Sequence, residues 1–295
     1  MTLIFSSLLL SFGVFARMVV PVILISAASF VVWAVLGIVT LGFASYVSGP
    51  VTAMFISLFG IRVALAVKGD LRQTDFKILA LNSFMYGVFF FVVVGGLVLL
   101  ANAIAVLVAM WQVGVPISLD AFKNTPQSTQ VAFALIAVSI KIAVVVVVLT
   151  VTYAIMAVPL ANAAREAGHR TPSNGFFYGL GRSFLPLFCI FFVSFFLQFY
   201  FELLTLLFAV LPLVVSIISI VTGQALPDFD LDIILQGIAA LAGLLWLNSW
   251  IWSASALALL KFDGSPEAQR KPVQPTDPET ETDIRALRKS RERSF

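Results

Sequence analysis

Long runs of apolar residues separated by short polar connections fill most of this chain. The runs lie near residues 18–47, 51–67, 79–111, 129–162, 184–222 and 232–260. Most of them exceed the ~20 apolar residues that a helix needs to cross hydrocarbon. None shows the short polar–apolar alternation of a barrel strand. The pattern predicts an all-α polytopic membrane protein built as a six-helix transmembrane bundle. The first two runs are parted by "SYVSGPV", in which Ser48, Gly49 and Pro50 read as a turn. If that Gly-Pro only kinks one helix, the number of crossings falls to five.

A weak internal repeat overlies the runs. Short apolar segments ending in Ser-Phe precede the first, third and fifth runs: "LIFSSLLLSF" (3–12), "DFKILALNSF" (75–84) and "GFFYGLGRSF" (175–184). The second, fourth and sixth runs close on a basic residue followed by glycine, at Lys68-Gly69, Arg165 with Gly168, and Lys261 with Gly264. This suggests three helical hairpins, each preceded by a segment lying at the membrane interface.

Composition sharpens the class. Of 295 residues, 60% are hydrophobic and 11% charged, and the mean hydropathy is +1.04. Soluble domains carry about 25% charged residues, more than twice this share. The charges that exist are unevenly placed. Residues 261–295 hold eight of the 18 Lys/Arg and seven of the 15 Asp/Glu, together with Pro266, Pro272, Pro275 and Pro278. The chain therefore divides into a transmembrane helical domain, 1–262, and a charged cytosolic tail, 263–295, too polar to fold alone. The tail ends in the basic "DIRALRKSRERSF", suited to anionic lipid or a cytosolic partner.

Basic residues also mark the side of the membrane. Arg62, Lys68, Arg72 and Lys77 surround one connection, and Arg165, Arg170 and Arg182 another. The opposite connections hold Lys123 beside Asp120 and the acidic "PDFDLD". The positive-inside rule then puts both basic connections, the tail and the N-terminus in the cytoplasm. Compactness and this bias point to the cytoplasmic membrane of a bacterium. Arg17 follows the first apolar residues instead of preceding them, which is not the order of a cleavable signal peptide.

Few residues offer chemistry. One cysteine, Cys189, and one histidine, His169, cannot assemble a Cys/His metal site within the chain. The connection "REAGHRTPSNG" lacks the phosphate-loop pattern and reads as turn chemistry. Asp228, Asp230 and Asp232 alternate and form a weak candidate for an external cation, without the glycine and glutamate of an EF-hand. Trp246, Trp250 and Trp252 suit packing or an aromatic belt. No cofactor and no nucleic-acid partner are expected; the bilayer is, and so are other membrane subunits.

Lys141 stands out as the one charge between Val131 and Leu160, and Glu202 as its counterpart in the next run. Ionisable groups in hydrocarbon cost at least ~2.5–3.5 kcal/mol and usually find partners. At ~1.5 Å per residue, Lys141 lies about 7 Å to the outer side of Glu202 in depth. That offset is within reach of two extended side chains. The depths predict an intramembrane Lys141–Glu202 pair, supported by Asn102, Gln198, Tyr200 and Asn248. Such a pair either locks two helices together or lines a polar pathway. A third reading lets Lys141 snorkel outward without a partner.

No nucleophile–base set accompanies these residues, so the sequence reads as a non-enzymatic membrane protein. The leading expectation is a scaffold or accessory subunit, or a handler of hydrophobic or lipid material. The second is a transporter or channel centred on Lys141 and Glu202, and the last a membrane lipid enzyme. Reporter fusions after residues 72, 170 and 264 should score as cytoplasmic, and one after residue 120 as external. An external signal at 72 or 170 overturns the orientation.

Overall fold

The structure, a computed structural model, describes residues 2–40, 43–114, 125–168, 174–223 and 231–264. Helices occupy Thr2–Val39 (α1), Phe43–Val67 (α2), Phe76–Val113 (α3), Gln127–Glu166 (α4), Phe184–Thr205 (α5), Leu211–Thr222 (α6) and Leu231–Asp263 (α7). A single π turn, Leu206–Val210, joins α5 to α6 into one rod. Among the described residues, six spans are long and apolar enough to cross a membrane. The all-α, six-span architecture is therefore as expected, with no strand among the described residues beyond an isolated Thr74–Gly168 bridge. The expected tail, residues 263–295, lies almost entirely outside the described residues, as do Asp120, Lys123, His169, Arg170, Asp228 and Asp230.

Two local expectations change. Helix α1 ends at Val39, ahead of the expected turn, and α2 runs straight through Ser48, Gly49 and Pro50. Gly-Pro ends a helix where water can take the freed carbonyl; within a helical bundle in lipid the helix is kept. The expected interfacial segments are also not alike. Residues 3–12 and 76–84 are the opening turns of the continuous helices α1 and α3, whereas 176–183 form a chain of non-helical turns. At 38 and 40 residues, α3 and α4 measure about 57 and 60 Å. That is twice the ~30 Å hydrocarbon thickness, so they tilt or project beyond it.

Burial is concentrated at one end, where the connections 68–75 and 167–183 lie. There α1 buries Leu10, Val14 and Met18, α2 Leu58, Ile61 and Leu65, and α5 Leu187, Ile190 and Phe191. The last turns of α4 are buried without interruption from Met156 to Ala164. The alanines of this stretch let neighbours approach closely, and α4 packs against α2, α3 and α5. Toward the other end the helices present Leu99, Leu100, Val131, Leu135, Leu213 and Ile217 outward. An exception is a buried stripe of one-turn spacing on α3, Ala101, Ala105 and Ala109.

Small residues set the closest approaches. A Cβ at Gly87 of α3 would stand 2.8 Å from the Val51 Cα of α2, and one at Gly60 would fall inside the Trp252 indole of α7. Gly95, two turns further along α3, has nothing within 4 Å of such a Cβ. Alanine gains about 1 kcal/mol of helix propensity over glycine at either site. Overpacking costs about 1–3 kcal/mol only where there is a clash. Gly87→Ala should therefore lower the melting temperature in detergent while Gly95→Ala holds or raises it. Equal shifts would contradict the tight α2–α3 crossing.

Candidate functional site

The intramembrane residues singled out by sequence do not form one site. Lys141 on α4 and Glu202 on α5 are both exposed side chains. The ion pairs among the described residues are Arg62–Asp70 and Arg72–Asp70, so the expected Lys141–Glu202 contact within the chain is absent from that set. Depth is not the obstacle. Tyr153 of α4 and Phe195 of α5 meet with ring centres 5.3 Å apart, which fixes the register of the two helices. Rotation is the obstacle. Lys141 lies twelve residues from Tyr153, about 120° around the helix, and on the side away from the buried Val146 and Thr150.

The supporting residues are scattered too. Asn102 is half-buried and Tyr200 exposed. Asn248 donates its amide to the Leu244 carbonyl of its own helix at 2.9 Å. Gln198 is buried, with Nε2 lacking an acceptor, and one turn before it the buried Ser194 hydroxyl has no partner either. Asp232 is an exposed residue in the first turn of α7. The other two residues of that cation candidate lie outside the described residues.

What the chain does build is a polar clasp at the tightly packed end. Arg62, near the end of α2, is 2% exposed, and its Nη1 lies 2.9 Å from Asp70 Oδ2. That approach is an ion-pair contact off the hydrogen-bond direction, and Nε has no acceptor. Nη2 donates to the Arg72 carbonyl, and the Arg72 amide reaches Asp70 Oδ1 at 3.4 Å. The connection between α2 and α3 thus wraps around one buried guanidinium. It is pinned on its far side by the Asp75 amide, which donates to the Ala167 carbonyl at 2.7 Å. The Asp75 carboxylate meanwhile caps α3, accepting from the Lys77 and Ile78 amides.

A second knot ties the α4–α5 connection. The buried Asn162 donates from Nδ2 to Glu166 Oε1 at 2.8 Å, while its Oδ1 accepts from Arg165 Nη2 at 2.7 Å and Asn174 Nδ2 at 3.0 Å. Glu166 Oε1 also accepts the Asn174 amide. Tyr86 of α3 stacks on Phe176 with ring centres 4.0 Å apart and donates to its carbonyl. Asn82 donates to the Ala163 carbonyl at 3.0 Å. Pro159 explains one further bond. Having no N–H, it leaves the Ile155 carbonyl without its helical donor. Gly181, at φ +70°, turns its amide onto that oxygen at 3.0 Å.

Sequence reading passed over this clasp. Arg62 reads there only as one of the basic residues that mark the side of the membrane, and Asn162 and Glu166 are not singled out. The available signals were their i, i+4 spacing and an arginine deep in an apolar run.

Two open clefts flank α2. One, of about 540 Å³, is lined by Ile25, Ala28, Ser29 and Val32 of α1, Ser48, Val51, Thr52 and Phe55 of α2, and Ala80 and Ser83 of α3. The other, of about 250 Å³, lies among Pro50, Ala53, Met54, Phe90, Phe91, Val94, Gly95, Leu149 and Tyr153. The walls of both are dominated by apolar side chains. Compared with known families, curated proteins and solved structures, the chain matches none.

The clasp predicts a ranking. Asp70→Ala strands a buried guanidinium, a loss on the order of 3–5 kcal/mol. Arg72→Ala removes a side chain that is 50% exposed, worth at most about 1 kcal/mol. Thermal melts in detergent should separate the two clearly, and equal losses would refute the buried-pair assignment.

Proposed function

We propose that this chain is a lipid-handling protein of a bacterial cytoplasmic membrane, which seats an acyl chain in the cleft among α1, α2 and α3. The cleft is the observation that carries the reading. Its volume of about 540 Å³ falls within the ~300–1,000 Å³ of small-molecule sites, which are mostly apolar with a few placed polar groups. Here the polar groups are the hydroxyls of Ser29, Ser48, Thr52 and Ser83. Small residues in membrane helices ordinarily let backbones close on each other. Ala28, Ser29, Ser48 and Ala80 instead leave room, and hydrocarbon is what the surroundings supply to fill it.

In this reading the clasp holds the cytoplasmic ends of the helices together while the apolar half takes up lipid. Both termini and the basic connections face the cytoplasm, and the protein acts without chemical catalysis. The second reading, a transporter built on Lys141 and Glu202, has less support because the two side chains are exposed and form no ion pair with each other. A scaffolding role for the charged tail is compatible with lipid handling.

Mass spectrometry of the protein released from native membranes tests the proposal. The wild type should carry phospholipid that survives mild delipidation. Ala28→Phe combined with Thr52→Phe should abolish it, whereas Leu99→Phe, on the outward surface of α3, should not. Equal lipid retention by all three proteins would remove the acyl-chain site.

A further inference from the structure

We propose that two copies of this chain associate through the exposed surface of α4 and α5 that carries Lys141 and Glu202, Lys141 of each copy pairing with Glu202 of the other. This rests on the charges and the register, and not on the lipid cleft. Both side chains are exposed and neither meets a charged partner among the described residues. Both sit well inside spans that are otherwise free of charge, Gln127–Glu166 apart from its last turn and Phe184–Thr222 throughout. An ammonium and a carboxylate turned toward hydrocarbon are costly and call for partners from outside the chain.

The surface they occupy is complementary to itself. It carries one positive and one negative group on adjacent, antiparallel, directly packed helices. From the Tyr153–Phe195 contact, Lys141 lies roughly 18 Å outward along α4 and Glu202 roughly 10 Å outward along α5. The remaining offset of about 8 Å is bridged by a lysine and a glutamate reaching toward each other. A two-fold axis along the membrane normal brings every Lys141 to a Glu202 and forms the same pair twice, as an isologous interface requires. Any other partner would need its own matched pair at these two depths. Exposed Val138 on α4, and Phe199, Leu203 and Leu206 on α5, flank the charges with apolar surface for the contact.

Charge reversal on two differently tagged full-length copies, co-expressed in one membrane, tests this. Wild-type copies should co-purify in mild detergent. Two Lys141→Glu copies, which set carboxylate against carboxylate twice, should not. A Lys141→Glu copy should capture a Glu202→Lys copy, because that combination restores both pairs. A Cys189→Ser background carrying Lys141→Cys on one copy and Glu202→Cys on the other should be joined between the two tags by a bis-maleimide linker spanning about 10 Å, the depth offset being too large for a direct disulfide. Thermal melts of each variant distinguish lost association from lost folding. Self-association of Lys141→Glu at the wild-type level overturns the proposal, as does failure of wild-type copies to co-purify. So does cross-linking of Lys141→Cys only to a different protein.

Discussion

Everything in this fold answers to one constraint: inside hydrocarbon, each backbone N–H and C=O must find its partner within the protein. The constraint is most visible where the chain breaks its own helical ladder. Pro159 removes a donor from the middle of α4, and a turn in the next connection bends its Gly181 amide back to replace it. Pro212 does the same to the Phe208 carbonyl, beside the π turn. There Gly237 lets α7 come close to that carbonyl: a Cβ at this position would sit 2.7 Å from its oxygen. Each irregularity in one helix thus fixes the position of another element. Pro159 in this way ties α4 to the connection that follows it instead of dividing the helix that holds it.

The same constraint explains the unequal ends. Where connections leave hydrocarbon, charges and amides are available, and the chain spends them on Arg62 with Asp70 and on Asn162 with Glu166 and Asn174. Those bonds, with the unbroken burial of Met156 to Ala164, hold the helices closely. Toward the other end the described parts of the helices present mainly apolar side chains. Among these residues association depends on side-chain fit, which in lipid lacks the hydrophobic drive it has in water. Clefts open on either side of α2.

Length and composition made the helical class and the six spans legible in sequence, because lipid imposes a minimum run of apolar residues. The fifth span was bounded as 184–222, and the structure bounds it as Phe184–Thr222. The break at Ser48-Gly49-Pro50 was misplaced because the turn rules behind it are those of water. The depths of Lys141 and Glu202 were readable, since depth needs only a rise per residue. Their direction was not. In a soluble helix a polar stripe shows which face is outside, but both faces of α4 are apolar and the stripe is missing. Arg62 was visible as a charge, whereas its partner, Asp70, belongs to a connection whose path no periodicity describes.

The enclosure of α4 has a bearing on how the protein is made. Its inner turns need neighbours on every side, among them α5 and the turns of 176–183, which the ribosome delivers last of that group. Helices α1 to α3 must therefore wait in the membrane around an unfilled centre, with Tyr86 and Asn82 still lacking the carbonyls they later bond. A pause in synthesis before residue 163 would leave a half-built intermediate in which Asn82 and Tyr86 lack these partners. Such an intermediate is what a membrane insertase or quality-control protease is equipped to recognise.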